Sequence, residues 1–175
     1  MSDSPATIEK PLFARLTALG IETKTTRHQP VFTVTQSQQH REFLSGDHCK
    51  SLFLKDKTQT LWLLVADESR RIDLKSVAKT IGAGRLSFCK PDLMNDVLGV
   101  QPGAVTPFAL INENARGVKV ILDKSMLESK KLNYHPLHNE ATTTISPEDL
   151  LLFIRSYGHE PVILDLDANC SSSTG

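Results

Sequence analysis

The sequence predicts an α+β fold: one domain with a mixed, mainly antiparallel β-sheet covered by helices. Three observations lead there. Stretches with apolar residues at helical spacing are interleaved with strand pairs joined by short polar turns. At 175 residues the chain has the size of one domain with one substantial core. Its 39% hydrophobic and 23% charged residues are ordinary for a globular protein.

The elements follow in order. Ile8, Leu12, Leu16 and Leu19 fall on one helical face and Gly20 ends it, giving a helix over 6–19. Residues 21–27 are rich in β-branched side chains and read as a strand. In His28-Gln-Pro-Val-Phe-Thr33-Val34, Phe32 and Val34 suit core packing as well as a pocket wall. Thr35 can cap a short helix over 36–44, which carries His40 and Arg41. Residues 49–55 alternate as a strand and turn through Asp56-Lys-Thr-Gln59. The return arm, 60–66, is nearly all apolar and so buried on both faces.

Asp73 caps a helix whose Leu74, Val77, Ala78 and Ile81 share a face, with Gly82 beyond its end. Gly82-Ala-Gly84 lacks the third glycine of a dinucleotide fingerprint, and 85–88 reads as a strand. Pro91 opens a helix with Leu93, Met94, Val97 and Leu98 inward. A loop over 98–107 then leads to Phe108-Ala-Leu-Ile111, expected as a buried strand. Residues 112–117 have the composition of a hairpin turn toward a partner strand over 118–122. Ser146-Pro147-Glu148-Asp149 starts a helix over 150–157, Gly158 stops it, and 161–164 is a last strand.

Lys+Arg and Asp+Glu number 20 each, so no overall positive field gathers nucleic acid and any RNA contact must be local. Cys49, Cys89 and Cys170 are odd in number and widely spaced. That disfavours a disulfide framework or zinc site and fits a reducing cytoplasm. The start lacks a signal-peptide pattern, and no run approaches the roughly 20 apolar residues of a membrane span. Residues 1–165 are expected to form the domain and 166–175 a disordered polar tail.

The loop carries the chemistry. Gly103 has no Cβ, so a ligand can approach its backbone, and Pro107 fixes φ at the exit. Bare N–H groups there could hold an oxyanion, or the segment could be only a turn between elements. Gly103-Ala-Val-Thr-Pro107 resembles the Gly-x-x-x-Pro loop of the prolyl-tRNA editing family, and its flanks, 98–100 and 108–112, match as well. Three further blocks are similar and in order: 28–34, Cys49-Lys-Ser-Leu-Phe-Leu-Lys-Asp56, and Leu132-Asn-Tyr-His-Pro-Leu-His138-Asn with Ala141-Thr-Thr-Thr-Ile145. The likeness runs from about residue 12 to 164.

That resemblance implies an α+β editing domain that hydrolyses amino acids wrongly esterified to proline tRNA. It implies an indispensable lysine at Lys50 and a His at His135 bordering the amino-acid pocket. Phe32, Thr33, Ser51, Ala104, Val105, Thr106 and Pro107 would line the substrate site, with Gly103 at its centre. Ser51 departs from the Asn that many relatives carry there. Arg41 and Arg85 are candidates for tRNA contact, and His138 is assigned nothing. The implied partners are the acceptor end of tRNA(Pro) and, as a further partner to consider, prolyl-tRNA synthetase, with no DNA and no membrane. The sequence holds no Gly-x-Ser-x-Gly elbow, no metal spacing and no convincing nucleophile–base pair, and no cofactor or metal is expected. Direct attack by water is therefore favoured, with Lys50 as a general base ranked second. The motifs sit closest to the alanyl-tRNA(Pro) deacylase branch. Sister branches that remove Cys, Ser or Thr, and a non-catalytic tRNA- or synthetase-binding module, are the alternatives.

Overall fold

The computed structural model describes residues 4–29 and 46–166. Phe32, Thr33, Arg41, the helix expected over 36–44 and the tail beyond 166 lie outside the described residues.

Helix α1 (Pro5–Ala18) starts where the Ser4 hydroxyl accepts the Thr7 N–H. Strand β1 (Lys24–Arg27) follows. Strands β2 (Asp47–Lys55) and β3 (Leu61–Asp67) form the expected hairpin, in register from Cys49 opposite Asp67 to Lys55 opposite Leu61. Asp56 closes its turn by accepting the N–H groups of Thr58 and Thr60 at 2.8 and 3.1 Å. Helix α2 (Leu74–Ile81) runs from the Asp73 cap to Gly82, whose φ of 72° supplies the left-handed stop. The expected strand over 85–88 shrinks to β4 (Ser87–Phe88), paired to the end of β2. Helix α3 (Pro91–Leu98) ends at Gly99.

Residues 108–111 correct the expected strand. Pro107–Ile111 is a 3-10 helix, with Phe108, Ala109 and Leu110 all buried. A short run buried on every side has no period to separate strand from helix. The capping geometry decides it, because Thr106 Oγ1 and O accept from the N–H groups of Phe108 and Ala109. The expected hairpin is also absent. Asn112 caps a second 3-10 turn, Glu113–Ala115, and β5 (Lys119–Asp123) pairs parallel with β3.

A third 3-10 turn (Met126–Glu128), β6 (Leu132–Tyr134), β7 (Ala141–Ile145), α4 (Pro147–Ser156) and β8 (Val162–Leu164) complete the described chain. The sheet order is β1-β7-β6-β2-β3-β5-β8, with β4 on β2. The β2–β6, β3–β5 and β5–β8 pairs are parallel and the other four antiparallel.

Helices cover both faces. α1, α3, α4 and the Pro107–Ile111 turn pack on one, against Phe53, Leu63 and Val65. α2 packs on the other, against Leu54, Trp62 and Leu64. That is why the interior of β3 is apolar without alternation. Phe108 stands edge-on to Tyr134 and Phe153, at centroid distances of 5.9 and 5.5 Å. These rings tie the 3-10 seat to the sheet and to α4. Phe153→Ala should therefore lower unfolding stability by about 3–5 kcal/mol, while Leu152→Ala, at a 45% exposed neighbour, should cost about 0.5 kcal/mol or less. Urea melts of the two variants check this.

Candidate active site

The loop after α3 is built to leave donors bare. Gly99 turns it with φ 67°, where a Cβ would meet Asn112 Nδ2 at 2.7 Å. The Ala104 N–H closes a turn onto the Gln101 carbonyl at 3.0 Å. Gly103 has φ 91° and open space where a Cβ would stand. Among the described residues, the N–H groups of Gly103, Val105 and Thr106 have no acceptor. Of the four donors over 103–106, Ala104 is thus spoken for and three remain. Thr106 is fully buried and Pro107 starts the seat beneath it, so those groups are held rather than loose.

A cleft of about 310 Å³ faces the loop. Gly99, Pro102 and Ala104 line one side, Leu137, His138 and Asn139 the other, and Ile8 of α1 closes one end. This second wall belongs to the β6–β7 connection, which begins at His135. The His135 Nδ1 lies 3.1 Å from the Ala141 carbonyl, which can only accept, so Nδ1 carries the proton. Burial pushes the His135 pKa below its ordinary 6.5, against the pull of that bond and with help from His28 and His138. The ring is therefore neutral at neutral pH, and its Nε2 is a lone-pair acceptor without a partner among the described residues. The His28 ring stands edge-on to it at 6.4 Å, with Nε2 on the Thr142 hydroxyl at 2.9 Å.

Lys50 enters from β2. The parallel β2–β6 pairing, Asp47 with Leu132 and His48 with Asn133, ends two residues before it. Cys49, one step earlier, faces the larger core. Alternation turns Lys50 the other way, onto the face that carries Leu52 and Leu54. The Lys50 ammonium donates to the Arg70 carbonyl. It acts there as a charged donor, with further N–H groups to offer. Ser51, next along, shares the face of Cys49 and Phe53. Arg85 is exposed beyond the end of α2, beside Lys75 and Lys79. The described residues thus bring the 99–107 loop and the connection that follows His135 to one cleft, which neither Lys50 nor Arg85 lines.

Burial pushes the Cys49 thiol up to about 12 and the Cys89 thiol to about 11. Neither is a nucleophile at neutral pH. Among the described residues, no three His, Cys, Asp or Glu side chains group as metal ligands, and no helix is long and apolar enough to cross a membrane.

The sequence reading missed the anchor of the His135 connection. Glu9 of α1 is only 3% exposed, and its carboxylate accepts from both Nη groups of Arg27 and from His138 Nε2, the latter at 2.6 Å. His138 Nδ1 accepts the Glu140 N–H at 3.1 Å, so the proton on Nε2 belongs to the bond with Glu9. The cluster fixes a connection whose Leu137 has φ 75°, a strained value for a side chain of that size. One signal was available: the buried helix stripe is Glu9, Leu12 and Leu16, and a carboxylate on it requires partners.

A model of the aminoacyl-tRNA editing domain matches residues 28–153. The chain belongs to the aminoacyl-tRNA editing domain family. It is accordingly an ester hydrolase, an aminoacyl-tRNA deacylase. It is 40% identical over 169 residues to the prolyl-tRNA synthetase associated domain-containing protein 1 of Bos taurus, covering 94% of this chain and 98% of that protein. It is 33% identical over 150 residues to the prolyl-tRNA editing protein ProX of Acetoanaerobium sticklandii, covering 85% and 91%. Its fold is that of a crystal structure described as a candidate trans-editing enzyme for prolyl tRNA synthetase, with TM-score 0.72, 20% identity, and coverage of 94% and 98%.

Burial pushes the Glu9 pKa up, but Arg27 and His138 more than reverse it and hold it below its ordinary 4.5. The unfolded chain therefore takes the proton first. The cluster stabilises the fold above about pH 4.5, and that contribution is lost as pH falls through the lowered native value. Glu9→Ala should lower stability by about 1–3 kcal/mol at neutral pH, with the gap to wild type narrowing in acid. Urea midpoints followed from neutral to acid pH measure both effects.

Proposed function

We propose that this deacylase acts in trans on mischarged proline tRNA and that its substrate is Ala-tRNA(Pro). The names of the bovine and Acetoanaerobium relatives support the proline tRNA. The carrying observation is the 103–106 loop, where the N–H groups of Gly103, Val105 and Thr106 have no acceptor among the described residues and Ala104 lines the cleft. Ester hydrolysis passes through a tetrahedral oxyanion, and preorganised backbone donors are the means of stabilising it.

In this reading water attacks the ester carbonyl, and the new charge on its oxygen rests on the 103–106 donors. The neutral Nε2 of His135 accepts a hydrogen bond from the attacking water or from the aminoacyl ammonium. The acyl C–O bond then breaks, the ribose oxygen takes a proton and the free amino acid leaves. A neighbouring ribose hydroxyl of the tRNA assists. Lys50 supplies a charged contact to the terminal adenosine or its phosphate, and Ser51 lies next to it. Pro107 holds the loop exit, and Ala104, Val105 and Thr106 line the ester end. Phe32 and Thr33, with Arg41 and Arg85 as tRNA contacts, complete the proposed site. Discrimination comes from exclusion, because favourable contact to one methyl provides only about 1–3 kcal/mol. A pocket that admits a methyl and refuses a pyrrolidine ring spares Pro-tRNA(Pro).

Ser51, where many relatives carry Asn, favours a second reading: a sister specificity for Cys, Ser or Thr. Incubation with Ala-, Cys-, Ser- and Pro-charged tRNA(Pro) separates the two. Release of alanine with Pro-tRNA(Pro) left intact is expected, together with a loss of rate in Lys50→Ala. Release of cysteine alone moves the assignment to a sister branch, and release from no mischarged species defeats the proline-tRNA assignment. The rate should also fall on the acid side with an apparent pKa below the ordinary histidine value of 6.5. That acid limb should be missing from the residual activity of His135→Asn, measured by single-turnover assays across pH.

A further inference from the structure

A second cleft lies at the other end of β3. Trp62 and Lys119, paired there, stand four residues along the strand from Ala66, the residue opposite Lys50. At about 3.3 Å per residue that is roughly 13 Å. The cleft holds about 630 Å³ between the β5–β8 edge and the last turn of α2, within the usual range of about 300–1,000 Å³ for small-ligand sites. His159 lines it and is only 7% exposed. Its Nε2 is buried with no hydrogen-bond partner among the described residues. A buried polar atom without a partner is rare, and a ligand group in the adjoining cleft is one way to supply it.

The rim carries Arg116 and Lys119. Among the described residues neither is paired with a carboxylate. The Lys119 ammonium lies over the Trp62 ring at 5.1 Å. Glu160, the one acid lining the cleft, is taken by Arg155 at 3.1 Å. Two unneutralised cations, one a planar guanidinium fork, suit a phosphate. Burial lowers the His159 pKa against the pull of the Val118 backbone, so the ring is neutral at neutral pH. A hydroxyl both donates and accepts, so it satisfies Nε2 in either tautomer. Ile81 and the exposed Val162 add an apolar wall.

We propose that this cleft binds a phosphorylated ribose, with the phosphate on Arg116 and Lys119 and a sugar hydroxyl on His159 Nε2. The site does not depend on which amino acid the deacylase removes. Two sources carry the group: a free nucleotide or sugar phosphate, and a nucleotide unit of RNA.

Trp62 is the only tryptophan of the chain, so its fluorescence reports on this cleft. Ribose 5-phosphate should give a saturable change, with inorganic phosphate and ribose each binding about tenfold more weakly or worse. Arg116→Ala and His159→Phe should each weaken ribose 5-phosphate by about tenfold, with deacylation of charged tRNA unchanged where the source is a free nucleotide and slowed at subsaturating tRNA where it is RNA. Displacement of ribose 5-phosphate by uncharged tRNA assigns the RNA source, and displacement by adenosine 5′-monophosphate alone assigns the free one. No saturable change with any of these probes overturns the proposal. Equal affinity in Arg116→Ala does so too, and this exposed position keeps the test valid if His159→Phe does not fold. Inorganic phosphate binding as tightly as ribose 5-phosphate would reduce the site to a bare cationic rim and also reject it.

Discussion

Thr106 is the point on which the site depends. Its hydroxyl and carbonyl both cap the Pro107–Ile111 turn, accepting from Phe108 and Ala109. The acceptors of this residue are thus turned into the core while its own N–H is left without a partner. Phe108, wedged edge-on between Tyr134 and Phe153, makes that arrangement stiff. A loop with donors left bare would ordinarily turn them to water or close them in turns of its own. Here the bond from Ala104 to Gln101 shapes the bend and leaves its neighbours' donors without acceptors among the described residues. Preorganisation of this kind is what electrostatic catalysis requires, because the dipoles need not reorient as charge develops.

The opposite wall is held by charge rather than by rings. Glu9 reaches from the first helix to His138, and the His138 ring in turn accepts the Glu140 N–H. A buried carboxylate is a poor source of stability in itself, since desolvation offsets much of its attraction to partners. Its value here is positional: it joins α1, β1 and the His135 connection at one place and maintains a left-handed Leu137. The loop wall is thus set by the Thr106 cap and the Phe108 rings and the histidine wall by the Glu9 cluster, and the cleft between them is defined by both.

Much of this was legible in the sequence where local chemistry and long-range packing agree. The β2–β3 hairpin follows from alternation and from the Asp56 turn. The starts of α2 and α4 follow from Asp73 and Ser146, and their ends from Gly82 and the residues before Gly158. The Gly103…Pro107 loop and His135 stood out as blocks, and the fold puts their connections on two sides of one cleft. Phe108–Ile111 was illegible because complete burial erases the periodicity that separates strand from helix. The parallel seat of β5 was illegible because pairing direction depends on β3 and β8, distant in sequence. Glu9 and His138 are 129 residues apart, and no local pattern reveals such a partner.

The most direct measurement is of the backbone donors themselves. An adenosine carrying alanine through a non-hydrolysable amide in place of the ester can be titrated into isotope-labelled protein. Amide proton resonances of Gly103, Val105 and Thr106 should move downfield together on binding, with Ala104, already bonded to Gln101, moving least. A bound analogue that leaves those three amides unshifted, while perturbing residues elsewhere, would contradict the oxyanion cradle outright.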